Sequence, residues 1–196
     1  MQLCGKLWGF EGIDKVSEAA IAATFARASK AAFGKPLVTN VLRGLLVEAI
    51  IADAIEPEWL WCAADYSSWD FERADGMRLE VKQSSYLQTW APPTHGKVSP
   101  SFDIRERSGR WEGAVFIEDP GRAAHLYAFA YHDVRDETAD HRDPEQWAFF
   151  VVPTSLLPKT KRLSLARLKQ LAAPISIDQL CHSVASVSAA IKPNAG

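Results

Sequence analysis

The chain holds 196 residues, 47% hydrophobic and 23% charged, a size and balance suited to one water-soluble domain with a substantial core. Its formal net charge of −2 provides no global positive field to steer a polyanion, so any nucleic-acid partner must be held by local basic patches and cations. The start of the chain lacks a signal-like segment and its three cysteines (Cys4, Cys62, Cys181) are scattered, which predicts a cytoplasmic protein without a disulfide frame or zinc site.

In chain order, alanine-rich Ser17 to Phe33 predicts a first helix, ended by Gly34 and Pro36. A second helix is expected over Leu37 to Ile55, stopped by Pro57. Its apolar run from Leu45 is broken by Glu48 and Asp53 and is too short to cross a bilayer. Trp59 to Ala63 reads as a short buried strand. Then Trp69, Phe71, Met77, Leu79 and Val81 alternate with Asp70, Glu72, Arg78, Glu80 and Lys82 on both sides of Ala74-Asp75-Gly76, which predicts a β-hairpin. Gly76 suits the left-handed position that closes such a turn. Pro92, Pro93, Gly96 and Pro100 mark a loop, and Ser101 to Glu106, His125 to Tyr131 and Trp147 to Val152 read as further strands. The acidic connection Asp133 to Glu145 is expected to be a solvated, mobile loop. Ser164 to Ala172 and Ile177 to Ile191 predict C-terminal helices, and Lys192 to Gly196 a loose tail. No repeat or linker divides the sequence, so residues 1–196 are expected to form one domain.

The hairpin carries the chemistry. With the turn centred on Asp75, Asp70 lies opposite Glu80, and directly opposed side chains sit roughly 4.5–5.5 Å apart at Cβ. Lys82, two residues on, shares that face. Two carboxylates so close repel unless a cation sits between them, and magnesium or manganese would take one or two carboxylates plus water and phosphate oxygens. Such a site suits phosphodiester cleavage, with Lys82 orienting the attacking water and stabilising charge on the phosphoryl oxygens. The blander explanation is a solvated strand face with alternating charge, as in Glu72 opposite Arg78. Against it, Glu80-Val81-Lys82 is the only Asp/Glu-x-Lys triplet in the chain.

Glu48 interrupts the apolar Leu45-Leu46-Val47…Ala49-Ile50-Ile51, and a buried carboxylate is costly unless it is paired, hydrogen-bonded or bound to metal. It either pairs with Arg43 or another buried cation, or aims at the Asp70–Glu80 cluster, and Gly44 would let another backbone or a ligand approach that face.

A helix with Glu48, a strand with Asp70 and then Glu80-Val81-Lys82-Gln83 resembles the PD-(D/E)xK, or restriction-endonuclease-like, superfamily. Trp69 stands where the name motif has proline. Arg43-Gly44, the run Glu80 to Trp90, and Trp147 to Pro153 resemble an uncharacterised bacterial family of that fold over roughly Thr39 to Leu171. The resemblance implies an α/β fold with a mixed sheet flanked by helices, and a metal-dependent nuclease acting on DNA. It implies catalytic roles for Asp70, Glu80, Lys82 and Glu48, and metal ligation by Asp70, Glu80 and Glu48. Gln83 and Ser84 would contact substrate or water, and a homodimer would place two sites across a duplex. The alternative is a non-catalytic module of the same fold that binds nucleic acid or protein.

Lys159, Lys161, Arg162, Arg167 and Lys169 form the most basic local cluster, read first as a solvated helix end and second as a phosphate grip. Tyr86, Gln88 and Trp90 are candidates to line a substrate groove, while Arg105, Arg107 and Arg110 stand beside Glu106 and Glu112 and are expected to pair locally. The histidines show no zinc spacing, and neither a Gly-x-Ser-x-Gly elbow nor a phosphate-binding Gly-x-x-x-x-Gly-Lys loop is present.

Overall fold

A computed structural model describes residues 17–62, 68–89, 100–112 and 115–191. Cys4, Trp90, the proline loop before Pro100 and the last five residues, each part of the reading above, lie outside that set. The chain divides into two compact units, one ending at Lys35 and the other starting at Pro36.

The first unit contains helix α1, Glu18–Phe33, none of whose residues is buried. Half of its residues are alanine, so backbone propensity rather than packing accounts for it. Ser17 caps it, its Oγ accepting from the Ala20 N–H at 3.2 Å.

The second unit is built on a five-stranded mixed sheet in the order β1-β2-β3-β7-β8, flanked by helices. These strands are β1 (Trp59–Trp61), β2 (Phe71–Arg73), β3 (Arg78–Ser85), β7 (Leu126–His132) and β8 (Trp147–Pro153). Only β3 and β7 run parallel. A parallel pair requires a long crossover. Here it holds β4 (Ser101–Asp103) and the small hairpin β5 (Arg110–Glu112) and β6 (Val115–Ile117).

Helices α2 (Asn40–Ile55) and α4 (Ile177–Ala190) cover one sheet face, where Val47, Ile51 and Ile55 meet Leu79, Val81, Ala128, Phe149, Leu180 and Val184. Strand β9 (Arg162–Ser164) pairs with β4 over the other face, ahead of α3 (Leu165–Leu171). There Phe102, Ile104, Leu163 and Leu168 pack against Tyr127, Phe129, Phe150 and Val152. Strand β7 is covered on both faces, which is why Leu-Tyr-Ala-Phe-Ala-Tyr-His is buried throughout without polar alternation.

The expected hairpin is present in the expected register: Phe71 pairs with Leu79 and Glu72 with Arg78, and Gly76 takes φ +81°. Helix α2 starts three residues later than expected, because the Val38 N–H is bonded to the His141 ring rather than committed to a helix.

The acidic connection after β7 is a correction to the sequence reading. It is largely exposed, as expected, but it is anchored rather than free, through His141, which is fully buried. His141 Nδ1 accepts from the Val38 N–H at 3.0 Å, and Nε2 lies 2.8 Å from Ser85 Oγ. Since that hydroxyl donates to the Leu87 carbonyl, His141 is the Nε2–H tautomer. Trp147 Nε1 donates to the His141 carbonyl at 2.9 Å, and the His132 ring packs edge-on against both. The count of surface acids hid this one buried ring.

A proton on Nδ1 would break the Val38 bond. Burial, the nearby Arg43 charge and His132 hold the His141 pKa down at about 4. The folded value lies below the ordinary 6.5, so the anchored loop is favoured above pH 6.5 and its contribution is lost as pH falls through 4. A difference of this size corresponds to roughly 3 kcal/mol. Denaturant titrations of wild type and His141→Gln at pH 7.5 and pH 4.5 are expected to show the wild-type advantage shrinking at the lower pH. An advantage unchanged with pH would contradict the anchoring role.

Candidate active site

Strand β2 is short, and the sheet edge beside β3 opens where β2 begins. Asp70 sits at that opening. Its N–H donates to the Leu79 carbonyl at 3.0 Å, and its Oδ2 accepts from the Val81 N–H at 2.6 Å. The carboxylate thus takes the place of a strand carbonyl and is pinned against β3, with Oδ1 left for another partner. Strand alternation turns Glu80 and Lys82 to the face shared with Tyr127 and Phe129, their partners on β7. The Lys82 ammonium and the Glu80 carboxylate form an ion pair. Asp70, Glu80 and Lys82 line one cavity of about 350 Å³.

Its electrostatics follow from acids crowded where water is scarce. Burial, then the charges of Glu80 and Glu48, push the Asp70 carboxyl up to about 7, against the opposing Val81 N–H and Lys82. Glu48 is also pushed above the usual carboxylate range, by burial, with the Trp61 hydrogen bond pulling it down, Glu80 raising it and Lys82 lowering it.

Glu48 is within electrostatic reach of Asp70 and Glu80 but does not line the cavity. Its Oε2 accepts from Trp61 Nε1 at 3.1 Å, which satisfies the carboxylate in its apolar helix. Arg43 is not its partner. That buried guanidinium donates to the side-chain oxygens of Gln83 (2.6 Å), Gln88 (3.1 Å) and Asn40 (2.8 Å). Gln83 is therefore engaged in tying β3 to the start of α2, and neither it nor Ser84 is among the cavity-lining residues. Apart from its own helix, no described residue comes within 4 Å of where a Gly44 Cβ would stand, so no other backbone approaches Gly44 closely. The Tyr86 ring carries Arg135, 4.5 Å from its centroid.

The sequence reading missed the rest of the cavity, which includes Arg105, Arg107, Arg110, Arg122 and Tyr127. Arg105 and Arg110 are ion-paired as expected of local charges, Arg105 with Asp103 and Arg110 with Asp119. The available signal was the crowding of three arginines within six residues before an aromatic hairpin.

Among the described residues, no three His, Cys, Asp or Glu side chains gather as a protein-only metal cage. The donor set fits magnesium or manganese in its other habit, with two carboxylates and the remaining positions left to water and substrate oxygens. Two carboxylates, Asp70 and Glu80, lining one cavity with Lys82 as the cation facing them make a divalent ion suitable there.

No helix among the described residues is long and apolar enough to cross a membrane. No family model and no curated protein matches the chain. Among solved structures, it is similar to the bacterial homing endonuclease I-Ssp6803I, with a TM-score of 0.44 and 17% identity over 79% of this chain and 99% of that one.

Proposed function

We propose that this chain is a divalent-metal-dependent nuclease of the PD-(D/E)xK type that hydrolyses phosphodiester bonds in DNA. The observation that carries the reading is the convergence of Asp70, Glu80 and Lys82 on one cavity that also holds arginines. DNA as substrate, and a dimer that spans a duplex, rest on the sequence resemblance.

Asp70 and Glu80 would hold a magnesium or manganese ion, which when bound supplies Lewis-acid polarisation of the phosphate and an acidified water. Lys82 leaves its resting pair with Glu80 to orient the attacking water and stabilise charge on the phosphoryl oxygens. Asp70 must be ionised to ligate, so metal binding displaces its proton. Glu48, held by Trp61, tunes the site through its charge rather than by direct ligation.

Calorimetric titration with manganese tests the reading. Wild type is expected to bind one ion per chain, and Glu80→Ala to lose that binding. Glu48→Gln keeps an oxygen for Trp61 and is expected to weaken binding only about tenfold, as outer-shell changes do. Binding that survives Glu80→Ala would favour a non-catalytic module that binds nucleic acid or protein.

A further inference from the structure

Charge pairing inside the cavity leaves a remainder. Lys82 pairs with Glu80, Arg105 with Asp103 and Arg110 with Asp119. Arg107 and Arg122 line the same cavity, and neither forms an ion pair with a carboxylate among the described residues. Asp103 feels the Arg107 charge at longer range but bonds to Arg105.

The backbone of Arg107 and the guanidinium of Arg122 are held in place by main-chain bonds. Arg107 and Gly121 exchange both main-chain hydrogen bonds, at 2.8 and 2.9 Å, so Arg122 enters directly beside Arg107. Gly121 has φ +146°, a conformation that disfavours side chains and turns the chain there. Arg122 Nε and Nη2 donate to the Ile104 and Pro158 carbonyls, each at 2.7 Å. That fixes the guanidinium plane without neutralising it and leaves Nη1 for a ligand. Both charges act on Tyr127, whose phenol lines the cavity on the strand beside Glu80.

A phosphodiester carries one negative charge, whereas a phosphate monoester carries about −1.5 to −2 at pH 7 and offers three acceptor oxygens. The Arg122 Nη1, held in place, and the Arg107 side chain on the same cavity suit the second better, because its greater charge and third oxygen let both guanidinium groups bond it together. We infer that Arg107 and Arg122 form a subsite for a phosphate monoester, the terminal phosphate of a nucleic-acid strand. The strand as its source rests on the nuclease reading, and the cavity then distinguishes strand ends from continuous strand.

The test uses the full chain in EDTA, so that cleavage does not intervene. Binding is measured for one short oligonucleotide carrying a 5′-phosphate, a 3′-phosphate or hydroxyls at both ends, and for a nucleoside 5′-monophosphate. One phosphorylated end is expected to bind about tenfold more tightly than the hydroxyl-ended strand. Arg107→Gln should remove the preference and Arg107→Lys restore it in part. Only backbone atoms of Arg107 bond to Gly121, so these variants keep the fold-defining contacts. If the mononucleotide binds as tightly as the strand, the monoester subsite stands but its source is a free nucleotide. Equal affinity for phosphorylated and hydroxyl ends, or a preference that survives Arg107→Gln, would overturn the proposal. Glu80→Gln separates the two readings, since it is expected to keep the end preference while losing most of the cleavage.

Discussion

Glu80→Gln is expected to lower phosphodiester cleavage about a thousandfold, since several kcal/mol of charge stabilisation would be lost with the carboxylate proposed to hold the metal and each 1.36 kcal/mol is tenfold. The fold should barely respond. Glu80 and Lys82 are partly exposed to the cavity, and an ion pair in such a setting contributes about 1 kcal/mol or less. Lys82→Ala should cost about 10²- to 10³-fold while leaving metal binding in place, because the role proposed for it is to stabilise charge on the reacting phosphate. Plasmid, linear and single-stranded substrates, each with magnesium and with manganese, cover the substrate forms. Variants that cleave as well as wild type on every substrate would remove these residues from the chemistry.

Asp70→Asn is expected to inactivate the protein and to stabilise it. The Asp70 carboxyl titrates at about 7 in the folded chain against an ordinary 3.8. Because the folded value is raised, stability is full below pH 3.8 and declines as pH rises through 7, where a charge must be kept in a buried, acidic setting. A shift of that size corresponds to roughly 4 kcal/mol at its limit. Asparagine retains an oxygen to accept from the Val81 N–H, so the edge of β3 stays capped. The wild-type curve also contains the opposite trend of His141, which loses stability on the acid side. The informative quantity is therefore the difference between Asp70→Asn and wild type in EDTA, expected near zero at pH 4 and several kcal/mol at pH 8. A flat difference would contradict the burial and repulsion assigned to this carboxyl. Saturating manganese should shrink the gain at pH 8, since the cation relieves the repulsion that the substitution removes.

The site was legible in the sequence where one local rule governed it. Period-two alternation around Gly76 placed Asp70, Glu80 and Lys82 together, because register in a tight hairpin is fixed by its turn and its buried face. Glu48 was legible as a polar interruption of an apolar helix, but its partner was not: Trp61 lies on another element, and nothing local in the helix points to it. Gln83 looked functional beside Lys82, yet strand alternation turns it to the opposite face, where Arg43 takes it. Arg107 and Arg122 are brought together by a bridge between Arg107 and Gly121, a contact that no periodic pattern encodes. The strands that escaped notice, β5, β6 and β9, are each three residues long, too short for an alternating pattern to be read.

Anomalous scattering from manganese-soaked crystals tests the central claim most directly. The account predicts one ion bound by Asp70 Oδ1 and the Glu80 carboxylate, with Lys82 released from Glu80 and Glu48 still on Trp61. Saturated crystals with no ion at that position, or with the ion held elsewhere in the chain, would contradict it.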